Sequence, residues 1–370
     1  MKRAIALFLV AIILIMATAC STGKPDTSST ASEAGGSDKR GEKIVYICYE
    51  LGDMSFNDSG KRGIDELESK GYSVQTIETG YDVAKLESLI REISENKEVG
   101  YLVCCSNFQE YVETMAPQYP DMRYVLFDVS PETEIAAENI QYITFAQNEG
   151  SYLVGVVAAA MSKSGVVGAV GGTESPTVCD FIVGYIDGAQ SYNPDIKVVT
   201  AWIGDWTNSA KCLELCTMQY NTYGADVFFP IAAGAGTGAF EAAMNNGDGL
   251  WAIGVDSDQH EAFVSSGNEK MANVILTSMV KNIDKTIVSI FEDQKAGKEH
   301  WGELRVLGVK EGAVGYADNE FFAANVSEDV MKAVKAAEEK IINGELDVKS
   351  FFDFENGAAD YNDYVATVAP

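Results

Sequence analysis

Residues 166–203 read VVGAVGGTESPTVCDFIVGYIDGAQSYNPDIKVVTAWI. The stretch opens on a short apolar run at 166–170, passes Gly171-Gly172 and Pro176, and continues as a helical pattern over 177–192. A second apolar run follows at 198–203. Two short runs flanking one helix-length segment read as a strand–helix–strand unit, whose strands lie parallel in one sheet. The alternation extends in both directions. Upstream, 43–49 reads as a strand, and Leu86, Leu89, Ile90 and Ile93 mark one helical face behind an Asp82 cap. Residues 99–105 read as strand, 108–115 as helix and 124–129 as strand, before a long small-residue helix over 149–161. Downstream come helix 209–220, strand 226–231, helix 240–246, strand 250–256, strand 273–277, helix 283–291 and strands 304–309 and 314–316. A last helix starts behind Ser327, carries Val330, Val334, Ala337 and Ile341 on one face, and stops at Gly344. These units are too many for one compact doubly wound sheet, and the pattern restarts near 145–166. The expected fold is α/β, with two similar lobes of parallel strands covered by helices. A closed eight-stranded barrel is the alternative, and the long break near 130–165 argues against it.

Composition sets the class. A length of 370 residues, 46% hydrophobic and 22% charged, is that of a folded chain with a large core. Its 27 basic against 55 acidic residues give −28. The six arginines (Arg3, Arg40, Arg62, Arg91, Arg123 and Arg305) are scattered. A nucleic-acid or anionic-membrane surface needs clustered cations, so neither is expected. With only His260 and His300 present, chemistry built on several histidines is excluded.

The N terminus sets the compartment. Lys2 and Arg3, an apolar stretch over 5–16, and the small residues Ala17, Thr18 and Ala19 make an export signal over 1–19, too short to span a bilayer comfortably. Cys20 directly after them resembles a bacterial lipobox, with Ala17 where leucine is more usual. That resemblance implies cleavage before Cys20, lipidation of its thiol, and a cell-membrane location on the extracytoplasmic face. Residues 20–41, rich in Ser, Thr, Gly and Ala, read as a flexible tether. Of the other cysteines, Cys48, Cys104 and Cys105 lie in strand-like runs as small hydrophobes. Cys212 and Cys216 share a helical face with no second pair to complete a metal site, and Cys179 stands apart.

Ligands of open α/β sheets bind beyond the carboxyl ends of the strands. Those ends carry Gly52-Asp53-Met54-Ser55-Phe56-Asn57-Asp58, Asp128, Asp205-Trp206, Gly234 to Ala239, Asp256 with Asp258, and Lys281. Any one of them alone is better read as a turn or cap; their accumulation is the signal. Gly234 to Ala239 fits G-x-G-x-x-A between a strand and a helix, with Asp256 about 20 residues on. A tight turn that lets the helix pack closely is the preferred reading, because an exported protein has no steady supply of NAD. A carboxylate on the next strand can accept ribose hydroxyls in either case. No P-loop, G-x-S-x-G elbow, H-E-x-x-H or H-R-D signature occurs. Asp53, Asp58, Asp256 and Asp258 lack Ca²⁺-loop spacing.

Together these residues resemble the basic membrane protein family of lipoproteins, the nucleoside-binding proteins of ABC transporters. The markers are Gly52-Asp53-x-Ser55-Phe56-Asn57, the 145–153 stretch ending in Gly155, Gly171-Gly172 and Phe181-x-x-Gly184-Tyr185-x-x-Gly188. Gly234 to Gly238, Ile253-Gly254-Val255-Asp256-Ser257-Asp258-Gln259 and Thr277-Ser278-Met279-Val280-Lys281 complete them, across about 43–355. The resemblance implies a periplasmic-binding-protein fold of the sugar-binding type, two Rossmann-like lobes joined by three crossovers near 145, 278 and 309. The first lobe would hold 42–145 and 279–308, the second 146–278 and 309–370. It also implies a cleft that closes on a nucleoside and delivers it to an ABC permease. Phe56 and Trp206 would sandwich the base. Asn57 and Asp128 would bind polar edges, Gly234 would offer backbone, and Asp256 and Lys281 would hold the ribose, with Asp53 in the same site. Trp206 stands where a phenylalanine is common. The expected partners are a purine or pyrimidine nucleoside and the permease, with a monomeric chain, no cofactor and no catalysis. A sugar or signalling-ligand binder of the same fold is the second reading, and an NAD-dependent enzyme the third.

Overall fold

The structure is a computed structural model and describes residues 40–247 and 249–370. The export signal and Cys20 lie outside the described residues, as does the tether up to residue 39. The tether's expected last two residues are folded instead. Arg40 is buried, donates to the Ser94, Asn96 and Val99 carbonyls and pairs with Asp121, and the Gly41 amide donates to the Lys97 carbonyl. A guanidinium able to serve four acceptors is worth more docked than solvated.

The chain first builds β1 (Lys43–Cys48), α1 (Phe56–Ser69), β2 (Val74–Glu78), α2 (Leu86–Glu95), β3 (Val99–Cys105), α3 (Gln109–Met115), β4 (Arg123–Phe127) and β5 (Ile140–Phe145). It then crosses to α4 (Gln147–Met161), β6 (Val166–Gly171), α5 (Pro176–Tyr192), β7 (Lys197–Trp202), α6 (Ser209–Tyr223) and β8 (Val227–Ile231). The same lobe continues with α7 (Thr237–Asn245), β9 (Trp251–Asp256), α8 (Gln259–Ser265), α9 (Glu269–Ala272) and β10 (Ile275–Lys281). A return passage forms α10 (Ile283–Lys295) and β11 (Leu304–Leu307). The last crossing gives β12 (Val314–Tyr316), α11 (Glu320–Asn325), α12 (Glu328–Ile342) and α13 (Ala358–Val368).

Two six-stranded sheets result, ordered β11-β5-β4-β3-β1-β2 and β12-β10-β9-β8-β6-β7. Every pair is parallel except β10–β12. The chain is therefore two doubly wound lobes and no barrel. Their inner strands are buried almost end to end, as helices on both faces require. The opening stretch of sequence shows how. Ser175 caps α5 by accepting from the Val178 amide, Pro176 pre-sets its first turn, and Ile182 and Ile186 are fully buried. Each buried side chain of that size stabilises by roughly 1.5–3 kcal/mol.

The second crossing falls later than expected. Met279, Val280 and Lys281 pair with β9 and β12, so they belong to the second sheet. Strand β5 lies inside the stretch expected to be a break. Helix α10 packs on α1, which places 283–295 with the first lobe. The six cysteines at 48, 104, 105, 179, 212 and 216 are buried and free.

Candidate functional site

In both sheets the strand order reverses beside the first strand of the lobe, between β1 and β3 and between β6 and β8. A doubly wound sheet opens a crevice at that point, beyond the carboxyl ends of its strands. The two crevices face one another across a cavity of ≈ 290 Å³. From the first lobe it is lined by Tyr49, Phe56, Asn57, Tyr81, Cys105, Ser106, Asn107 and Asp128; from the second by Thr173, Ser175, Phe181, Trp206, Ala232, Ala233, Asp256 and Lys281, among others.

Backbone strain marks the same place. The non-glycine residues with left-handed φ among the described residues are Met54 (51°), Asp128 (63°), Ala233 (45°) and Asp256 (63°). They fall in the loops after β1, β4 and β8 and on the last residue of β9. Aspartate tolerates this region, whereas alanine there costs roughly 1–2 kcal/mol. Such conformations persist where surrounding contacts enforce them, and they gather at ligand sites.

The charges form one group. The Lys281 ammonium, last in β10, is buried and donates to Asp128 Oδ1 at 2.5 Å, from one lobe to the other. It also lies 4.7 Å from the Phe181 ring centroid, 5.3 Å from Phe145 and 5.8 Å from Phe56. Asp256 Oδ2 accepts from Ser55 Oγ at 2.6 Å, again between lobes. Burial pushes the Asp256 carboxyl up to about 6, against the opposing pull of Lys281 and of the Ser55 hydrogen bond. Asp180, behind Phe181, is likewise pushed up to about 6 by burial while it accepts from Gln147, Ser350 and the Phe351 amide.

Each aromatic wall is held by its own loop. Phe56 opens α1 and packs on Phe127 at 5.7 Å between centroids. Trp206 stands in a turn whose Asp205 carboxylate accepts from the Thr207 and Asn208 amides. Its carbonyl accepts from the Ala235 amide. Tyr49 and Tyr81 stack at 4.8 Å on the first-lobe side.

The cavity thus gathers Phe56, Asn57, Asp128, Trp206, Asp256 and Lys281 from the residues named by sequence. It does not gather the other two. Asp53 turns its carboxylate onto the start of α1, accepting from the Ser55, Asn57 and Asp58 amides and from Asn57 Nδ2. Burial raises its pKa, and those amides oppose the rise. Gly234 lies beside Asp53 and Trp206, while its neighbours Ala232 and Ala233 face the cavity. Sequence reasoning missed Tyr49, Cys105, Ser106 and Asn107, although each ends or follows a strand and the same rule reaches them. Phe181 had no such signal, because it points in from the body of α5. The glycine turn packs one helix on another: a Cβ at Gly238 would meet the Ser209 carbonyl at 2.1 Å, which presses α7 onto α6. Among the described residues no group of three or more His, Cys, Asp or Glu is placed to hold a metal ion.

Residues 44–351 match the family described as ABC transporter substrate-binding protein PnrA-like, or Bmp. The chain is 30% identical to basic membrane protein A of Borreliella burgdorferi, over 80% of this chain and 84% of that one. It is 28% identical to the ABC transporter nucleoside-binding protein BmpA of Lactococcus lactis subsp. cremoris, over 83% and 88%. In fold it is similar to an ABC transporter solute-binding protein from Aeropyrum pernix K1, with a TM-score of 0.75 at 23% identity, covering 88% of this chain and 97% of that one.

Proposed function

The chain belongs to the PnrA-like family of ABC transporter substrate-binding proteins, and from that premise we propose that it captures a nucleoside between its lobes and hands it to a membrane permease. One observation carries the reading: a single cavity sets Phe56 and Trp206, aromatic walls from opposite lobes, beside Asp256, Asp128 and Lys281. A base offers two flat faces, and stacking contributes roughly 1–3 kcal/mol per base. A ribose diol offers donors, which the Asp256 carboxylate accepts. Among the described residues that line the cavity Lys281 is the one cation, and Asp128 already neutralises it, which favours an unphosphorylated nucleoside over a nucleotide. The name of the Lactococcus relative agrees.

Capture follows from the topology. Ligand contacts reach residues of both lobes, so binding favours the arrangement in which the lobes meet. Asn57 and Asp128 take polar edges of the ligand from the first lobe. Trp206, Asp256 and Lys281 take the base face and ribose from the second. Lipidation at Cys20 holds the protein at the extracytoplasmic face of the membrane, within reach of the permease. If so, Cys20→Ala moves it into the soluble fraction or blocks processing; normal cleavage with full membrane retention would sink the anchor.

The ligand is tested by mass spectrometry of the small molecule released from protein purified natively without additions. A ribonucleoside is the expected product. A free sugar, a dinucleotide or a nucleotide in its place would overturn the reading.

A further inference from the structure

Two glycines, the last residue of β6 and the one after it, each lie under a tryptophan. A Cβ at Gly171 would meet Trp202 Cζ3 at 2.1 Å. One at Gly172 would meet Trp206 Cε3 at 2.5 Å and Cζ3 at 2.6 Å. The Gly172 backbone lies outside the left-handed region, so its conformation does not demand glycine. Space does: the six-membered ring of Trp206 crowds the place that a Cβ would take. The segment around it leaves the ring little freedom. The Gly172 amide donates to the Ile231 carbonyl at 2.9 Å and the Gly204 amide to the Gly172 carbonyl at 2.8 Å. Beyond the ring, the Trp206 carbonyl is held by the Ala235 amide at 2.9 Å.

We infer that Gly172 is a positioning residue for the ligand: it is the seat that holds the Trp206 indole as a fixed wall of the cleft, and it is what allows an indole there. The inference rests on the nucleoside reading for what the wall stacks against, though not for the packing itself. Carbon atoms in contact settle at about 3.5–4.0 Å. A methyl group at residue 172 therefore drives the ring roughly 1 Å towards the cavity, narrowing the space opposite Phe56. Cε3 and Cζ3 are atoms that a phenylalanine at 206 does not place there, so a smaller ring relieves the clash. Gly172 and the ring size at 206 form one unit.

The test is a double-mutant cycle on the detergent-solubilised full-length chain, with Gly172→Ala, Trp206→Phe and both together. Affinity for the four ribonucleosides is read by calorimetry, and Trp206 emission as the difference spectrum against the matching Trp206→Phe protein. Gly172→Ala is expected to weaken the bound nucleosides roughly tenfold in the tryptophan background, and less than about twofold in the phenylalanine background. The Trp206 emission should shift in the ligand-free protein. Equal losses in both backgrounds, or a lowered melting temperature with unchanged affinity, would overturn the positioning role. If the unmodified protein binds no ribonucleoside, the nucleoside reading fails by itself. The emission difference then decides the packing claim: a shift supports it and an unchanged spectrum removes it.

Discussion

Asp256 answers to two opposed demands. The proposed nucleoside needs an ionised acceptor for its ribose, and the fold disfavours a buried charge. Burial lifts the carboxyl from 3.8 to about 6, and in the unfolded chain the ordinary value returns. The folded state therefore binds this proton more tightly than the unfolded one. Its contribution to stability is fully present below about pH 4 and is lost as pH rises through about 6. The difference of about two pKa units bounds the loss at roughly 3 kcal/mol. Asp256→Asn should then raise the thermal midpoint of the ligand-free protein at pH 7.5 while weakening ribonucleoside binding. In the unmodified protein affinity should fall as pH drops below about 6, and in Asp256→Asn it should stay level. Thermal unfolding and calorimetry between pH 5 and 8 check both; an unchanged or lower midpoint for the variant would show that the carboxylate carries no such penalty. Asp128, Trp206, Asp256 and Lys281 were legible as cavity residues because each ends or follows a strand. Asp53 and Gly234 occupy equivalent places in sequence. Whether a carboxylate looks into a cleft or back onto its own helix depends on a turn of one or two residues, which spacing does not encode.

The helix that Asp53 serves gives the next prediction. Its carboxylate accepts from three amides at the start of α1, and loss of such a cap costs about 1–2 kcal/mol. Asp53→Ala should lower the unfolding free energy by that amount in chemical denaturation. Binding should weaken only through the displacement of Phe56 and Asn57. Unchanged stability with a large loss of affinity would return Asp53 to the ligand, as the family resemblance had it. Among the elements, β3 was legible residue for residue because Val99–Cys105 is an unbroken apolar run. Strand β5 was not. Gln141 and Thr144 interrupt it in sequence, yet both are buried along with the rest of the strand. Helix α1 was hidden for a related reason, since Ser59, Gly60 and Gly63 lie on its buried side and give no apolar periodicity. A Gly60 Cβ would strike the Tyr46 hydroxyl at 2.2 Å, so close approach takes the place of side-chain burial. Four residues, 278–281, extend β10 past its expected end, and the last three pair with β12, a partner 33 to 37 residues away that no local pattern reveals.

At the scale of the molecule, the two lobes repeat one strand order, and their strand ends supply complementary halves of one site. The repeat was legible from the restart of the strand–helix alternation. The face-to-face meeting of the halves was implied only by the family resemblance. Contacts already link the lobes beside the Ser55–Asp256 hydrogen bond: the Gln259 side-chain amide donates to the Met54 carbonyl and Ser257 Oγ to the Ser55 carbonyl. The proposed ligand adds aromatic walls from both lobes, Phe56 and Trp206, to these polar contacts, which is why the base, and not the ribose alone, should decide affinity. Calorimetric titration of the unmodified protein and of Trp206→Ala, with the four ribonucleosides and with free ribose, measures this directly. The account predicts that at least one ribonucleoside binds, that free ribose does not, and that Trp206→Ala weakens the bound nucleoside by roughly 1–3 kcal/mol. Ribose binding as tightly as the best nucleoside, with Trp206→Ala indistinguishable from the unmodified protein, would contradict it.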